Sequence, residues 1–161
     1  MAQLLRVPDL EARRVAMSKV AFLTGKWTGA ARLLRGLDES VELLQTEKAQ
    51  YELGGLILMI EGVGRTKSGG LPVLHALGII SYDNESGTYR THTFNGGRSL
   101  ETQVELLQDG KGMAWGFVLK EIKTYSVMRI NEKRDWTELA EITIGSQPPK
   151  RLLELIVHPQ K

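Results

Sequence analysis

The chain has 161 residues, 42% of them hydrophobic, enough for one domain spanning 1–161 to bury a single core without metal or disulfide staples. Its 21 Lys and Arg against 19 Asp and Glu leave a formal charge of +2, too weak a field to gather nucleic acid or anionic lipid. Cysteine is absent, which excludes disulfides, thiolate metal sites and cysteine nucleophiles, and fits a reducing compartment, so the expected location is cytoplasmic.

At the N-terminal end Asp9, Glu11, Arg13 and Arg14 stand where a secretory signal would need an unbroken apolar stretch, and nowhere do 18 apolar residues run together. The expectation is a chain neither exported by that route nor membrane-spanning. Pro8 and Asp9 open a segment in which Ala12, Val15, Ala16, Val20 and Leu23 recur at helical spacing, predicting one helix over about 9–22 with Asp9 as its cap. Arg13 and Arg14 lie at the end of the dipole that disfavours cations, so this helix must gain its stability by leaning on or plugging the rest of the fold.

From Gly25 the text changes to short runs of Val, Ile, Leu, Thr and Tyr, punctuated by turn formers such as Gly54-Gly55, Ser68-Gly69-Gly70, Asn95-Gly96-Gly97 and Asp109-Gly110. Candidate strands fall at 26–35, 40–53, 55–66, 73–82, 87–94, 99–107, 112–120, 123–130, 135–144 and 151–157. About ten hairpin-linked strands predict an all-β, antiparallel up-and-down β-barrel over about 25–158, with a flattened sandwich as the alternative. The segment Ser40 to Leu53 switches its alternation, which predicts a bulge, and a slip of one residue would turn every side chain to the other face.

The phrase Phe22-Leu23-Thr24-Gly25-Lys26-Trp27-Thr28-Gly29, a Gly-x-Trp-x-Gly on the first strand after a helix, resembles the opening of lipocalins, fatty-acid-binding proteins and nitrobindin-like haem proteins. With Gly78-Ile79-Ile80-Ser81-Tyr82-Asp83, Gly87-Thr88-Tyr89, Trp115-Gly116-Phe117 and Trp136-Thr137-Glu138, the chain is similar over most of its length to the DUF1579 family of lipocalin-like (calycin-type) proteins. Gly25 and Gly29 would let the first strand bend at a barrel end that Trp27 closes. The resemblance implies an interior cavity for a small, mainly apolar molecule. In nitrobindin-like proteins a late histidine ligates haem. Here the only late histidine is His158, beside Pro159 at the chain end, where exposure is the commoner state, so haem is disfavoured and no cofactor is required.

Polar residues embedded in apolar strands are Glu47, Glu61, Arg90, His92, Tyr125, Arg129 and Glu138; inside a barrel each would have to be paired or hydrogen-bonded. The favoured ligand-binding set is Arg90, His92, Tyr125 and Glu138, where an acid, a base and a hydroxyl could orient a polar head. His75 and His92 could meet across a hairpin, but a metal site would need a third ligand such as Glu61, Glu101 or Glu138, and no ligand-spaced motif supplies one, so no metal is expected. Nucleophile elbows, phosphate loops and His-Glu-x-x-His are missing, and no catalytic residue is assigned.

The preferred function is therefore binding of a small hydrophobic or amphipathic molecule in the barrel cavity. Alternatives are a barrel enzyme of isomerase, lyase or hydrolase type using His92, Tyr125 and Glu138, a haem-binding nitrobindin-like protein, and a barrel filled by its own side chains that acts through protein contacts. Ile57, Met59 or Val127 on the outer faces would admit a homodimer.

Overall fold

The computed structural model describes residues 7–161; the first six residues of the 1–161 span lie outside the described part. Helix α1 (Leu10–Ser18) and a 3-10 turn (Ala21–Leu23) precede ten strands. These are β1 (Gly25–Arg35), β2 (Glu39–Glu52), β3 (Ile57–Thr66), β4 (Pro72–Asp83), β5 (Thr88–Asn95), β6 (Arg98–Leu106), β7 (Gly112–Leu119), β8 (Ile122–Ile130), β9 (Trp136–Ile144) and β10 (Lys150–Pro159). Each strand pairs antiparallel with its sequence neighbour, and β1 pairs with β10 from Trp27 opposite Pro159 to Leu33 opposite Leu153, so the meander closes into a barrel rather than a sandwich. Closure leaves no free sheet edge.

Interior positions follow the two-residue period: Leu43 and Ala49 on β2, Leu58 on β3, Ile80 on β4, Val104 on β6, Met128 on β8 and Leu155 on β10 are all buried. The predicted bulge in Ser40–Leu53 is not there. β2 pairs without a register shift along both β1 and β3, and the irregularities sit instead at Gly64/Arg65 and Arg151/Leu153. The apparent switch has a simple cause: Leu44 faces outward, half exposed, while the polar Gln45 and Glu47 face inward.

The helix stops four residues sooner than its pattern predicts, because Lys19 caps it and Val20 has left helical dihedrals. Its buried stripe accordingly runs Ala16, Met17, Val20 and Leu23, and Val15 points to solvent. Asp9 caps the first turn, its Oδ1 accepting the Ala12 N–H at 2.9 Å. At its last turn the Ala16 carbonyl accepts the Lys19 N–H at 3.2 Å and the Met17 carbonyl the Val20 N–H at 3.1 Å. Two tyrosines of the barrel add a second donor to each: Tyr51 donates its hydroxyl to the Met17 carbonyl and Tyr89 donates to the Ala16 carbonyl at 2.7 Å. The helix thus covers the barrel end where β1 begins.

Trp27 fills the same end. It is fully buried, packs edge-on against Trp136 with ring centroids 5.3 Å apart, and donates its indole N–H to the Arg134 carbonyl at 3.1 Å. Its glycine neighbours have separate reasons. Gly25 adopts φ +143°, and a Cβ on Gly29 would stand 2.2 Å from the Ile156 carbonyl oxygen, so only glycine lets β10 lie that close.

Candidate binding cavity

With one end covered by α1 and Trp27, the interior forms a cavity of about 230 Å³ in the other half of the barrel. Ile80, Val104, Met113 and Trp136 make its floor, and Leu74, Asn95 and Leu153 lie toward the opposite rim. Its wall is apolar except for Thr91, Thr93 and the rim residue Asn95 of β5 and a group of three side chains: Gln45, Glu47 and Glu138. A second hollow of about 220 Å³, between the β1–β2 and β9–β10 turns at Leu34, Leu37, Ile144 and Lys150, is apolar apart from Gln147 and a lysine already paired with Asp38, and gathers no cluster of titratable groups.

The three polar side chains are set into the wall by backbone register. Gln45 and Glu47, two apart on β2, share its inner face, and directly opposite them on β3 stand Gly64 and Gly62. A Cβ on Gly62 would come within 2.8 Å of Glu47 Oε1, and one on Gly64 within 2.6 Å of Gln45 Oε1. The two glycines are therefore the space in which the amide and the carboxyl lie. Gln45 Nε2 donates to Glu47 Oε1 at 2.8 Å, which leaves Gln45 Oε1 buried without a partner. The indole N–H of Trp136, also lining the cavity, is likewise buried and unpartnered.

Burial sets the electrostatics. It pushes the Glu47 carboxyl up to about 8, with the charge of Glu138 raising it further and the Gln45 amide opposing. Burial also pushes Glu138 up to about 7; the nearby Trp136 N–H offsets part of the rise, though it completes no hydrogen bond of ordinary geometry. At neutral pH Glu47 is mostly a neutral acid, and Glu138 is close to half protonated.

Of the four residues expected to bind ligand, the structure brings only Glu138 into the cavity. Arg90 and His92 occupy the outer face of β5, opposite in direction to Thr91 and Thr93; the Arg90 Nε–H donates to Glu101 Oε1 at 2.6 Å and His92 stacks on Phe94 at 4.7 Å. Tyr125 lies outside on β8, 54% exposed, between the inward Thr124 and Ser126. The set His92, Tyr125 and Glu138 is therefore not assembled at one point. The other embedded polar residues divide the same way. Glu61 pairs with His75 outside at 3.1 Å and Arg129 with Asp109 at 3.2 Å, whereas Glu47 faces in. His75 and His92 do not meet, since His92 lies opposite Ile79. Among the described residues no three His, Asp or Glu side chains cluster as metal ligands.

Gln45 is the cavity residue that sequence reasoning missed. Its signal is the Gly62-x-Gly64 spacing on β3, legible only once the register with β2 is known. A haem does not fit the donors present: no histidine lines the cavity, and His158 is outside, its Nδ1 2.7 Å from Asp135 Oδ1.

Fold and site together define a closed, ten-stranded lipocalin-like barrel whose partly open interior is compatible with small-molecule binding. Among solved structures it is similar to Rv2717c from M. tuberculosis, with a TM-score of 0.68 and 14% identity over 91% of this chain and 98% of that one, a likeness in fold alone. Compared by sequence, the chain matches no protein-family model and no curated protein. Among the described residues no helix is long and apolar enough to cross a membrane.

Proposed function

We propose that the protein binds a small amphipathic molecule inside the barrel without transforming it, and that the chain is kin to the DUF1579 proteins its strand phrases resemble. One observation carries the binding reading: an apolar cavity in which a buried amide oxygen and a buried indole N–H have no partner within the protein. Buried polar groups are nearly always satisfied, and orphaned ones facing an open cavity are satisfied by what enters it. Native mass spectrometry of gently purified protein, before and after denaturation, tests this. A defined extra mass lost on denaturation supports a carrier, and a bare chain that also takes up no small molecule on titration refutes it.

Acid–base catalysis is the second reading, favoured by two carboxyls whose pKa values of about 8 and 7 lie near neutral pH. It would use Glu47 and Glu138 rather than His92 and Tyr125. Turnover that survives Glu47→Gln and Glu138→Gln together would count against it.

A further inference from the structure

We propose that the cavity selects a small cation, a primary or secondary amine or an amidine on a compact apolar body, whose N–H groups are received by Glu47, Glu138 and Gln45. This rests on the small-molecule reading above and adds the chemistry of the ligand's head.

The lining residues supply an unequal inventory of hydrogen-bonding groups. Gln45 Oε1 is a buried acceptor with no donor, and Glu47 and Glu138 add two carboxyls, each with two oxygens. One N–H of the Gln45 amide is committed to Glu47; its second N–H, the Trp136 indole and the protons that the two carboxyls hold are the neutral donors at this level of the barrel. Among the described residues no Lys, Arg or His lines the cavity. A carboxylate or phosphate head would therefore meet neutral donors and two acids but no cation to balance its charge, which disfavours the fatty acids that a barrel of this shape suggests by analogy. An ammonium group, with donors only, matches what is present, and charge-assisted bonds of this kind are about twice as strong as neutral ones.

Size limits the rest of the molecule. The volume, about 230 Å³, falls below the ~300–1,000 Å³ of sites for drug-sized ligands. At ~30 Å³ per water it equals roughly eight waters, room for a single ring and a short arm. Trp115 and Trp136 supply aromatic wall for such a body and favour a cation close to it.

Charge balance gives a second readout. Among the described residues the titratable groups facing the cavity are Glu47 and Glu138, and both hold protons more tightly than ordinary carboxyls. When the cation arrives, its N–H groups replace acid protons, and those protons pass to solvent. Binding should then release protons at pH 7 and tighten as pH rises toward 8.

The test uses the intact protein and three probes of one shape: 2-phenylethylamine, 2-phenylethanol and 3-phenylpropionate. Tryptophan emission reports binding, and calorimetry in two buffers of different ionisation heat counts protons. The expected order is amine tighter than alcohol by at least about tenfold, with the acid weakest and protons released by the amine alone. Glu47→Gln and Glu138→Gln should each cut amine affinity about tenfold and leave the alcohol within about twofold; Arg90→Ala, on the outer face, should change neither. Equal affinity for amine and alcohol, or a preference for the acid, overturns the cationic head while leaving cavity binding in place. Failure of all three probes to bind overturns both.

Discussion

Glu47 offers a direct measure of what the interior charges cost. Its carboxyl has an ordinary value of 4.5 and a folded value of about 8. Between those two values the folded protein keeps a proton that the unfolded chain has released, so this residue makes stability highest below pH 4.5 and erodes it as pH climbs toward 8. At about 1.4 kcal/mol per pH unit, less near the two pKa values, the erosion from Glu47 between pH 5 and pH 8 is roughly 3–4 kcal/mol. Glu138, raised to about 7, acts in the same direction, and because its charge already contributes to the rise at Glu47 the two effects overlap rather than add. Glu47→Gln keeps the shape and removes the titration. Urea unfolding of wild type and variant at pH 5, 6, 7 and 8 should show the two diverging throughout, by about 1.4 kcal/mol per pH unit in the middle of the range. By pH 8 the variant should have gained roughly 3–4 kcal/mol on the wild type. Curves that stay parallel across this range would mean that the carboxyl is hydrated or paired, and the account of the cavity would be wrong. Glu42 is the contrasting case: it is exposed and held below its ordinary value by Lys67 and Arg32, so Glu42→Gln should be slightly less stable than wild type at neutral pH, and that gap should close as pH falls below 4.5.

Four further substitutions probe the frame around the cavity. Gly29→Ala places a methyl 2.2 Å from a backbone oxygen, which cannot swing aside as a side chain can, and should lower the melting temperature sharply or prevent folding. Tyr89→Phe removes the hydroxyl that donates to the Ala16 carbonyl at 2.7 Å and should cost about 1 kcal/mol, with faster amide exchange confined to α1 and its turn. The pair Arg90→Ala and His92→Ala, both on the outer face, should each shift stability by less than about 1 kcal/mol and leave every cavity ligand's affinity unchanged; a loss of binding would put the site elsewhere.

The strands were readable because turn residues and alternation are local signals. Every one of the ten predicted segments overlaps a strand with ends within a few residues, and the Ala21–Leu23 turn takes up the end of the predicted helix and runs one residue beyond it. Closure was not readable, because β1 and β10 meet across almost the whole chain and no local pattern encodes the pairing. Nor was the inward face of β5. Its sequence Thr-Tyr-Arg-Thr-His-Thr-Phe-Asn gives Tyr89, Thr91 and Thr93 to one side and Arg90, His92 and Phe94 to the other, each side mixing rings and polar groups. Hydropathy cannot choose between them, and Arg90 and His92 attract attention by chemistry alone. Glu47 and Glu138 stood out as polar residues inside apolar strands, but what joins them to Gln45 is the shape of the cavity, which exists only after closure.

The interior cluster also separates a binding barrel from one that merely fills itself. A scaffold barrel is most stable when positions such as 45, 47 and 138 carry aliphatic side chains, because an apolar replacement for buried charge is often neutral or stabilising. Here two acids and an amide occupy the interior, and glycines at 62 and 64 give up wall contacts to make room for two of them. For Glu47 the cost at pH 7 is roughly 3 kcal/mol, a large share of the 5–15 kcal/mol that holds a typical domain together. Places where a sequence departs from the rules of core packing are usually functional. A cation bound between the carboxyls would offset that destabilisation, so the amine that binds best should also raise the melting temperature most at pH 8, where the empty cavity is most strained by its own charges.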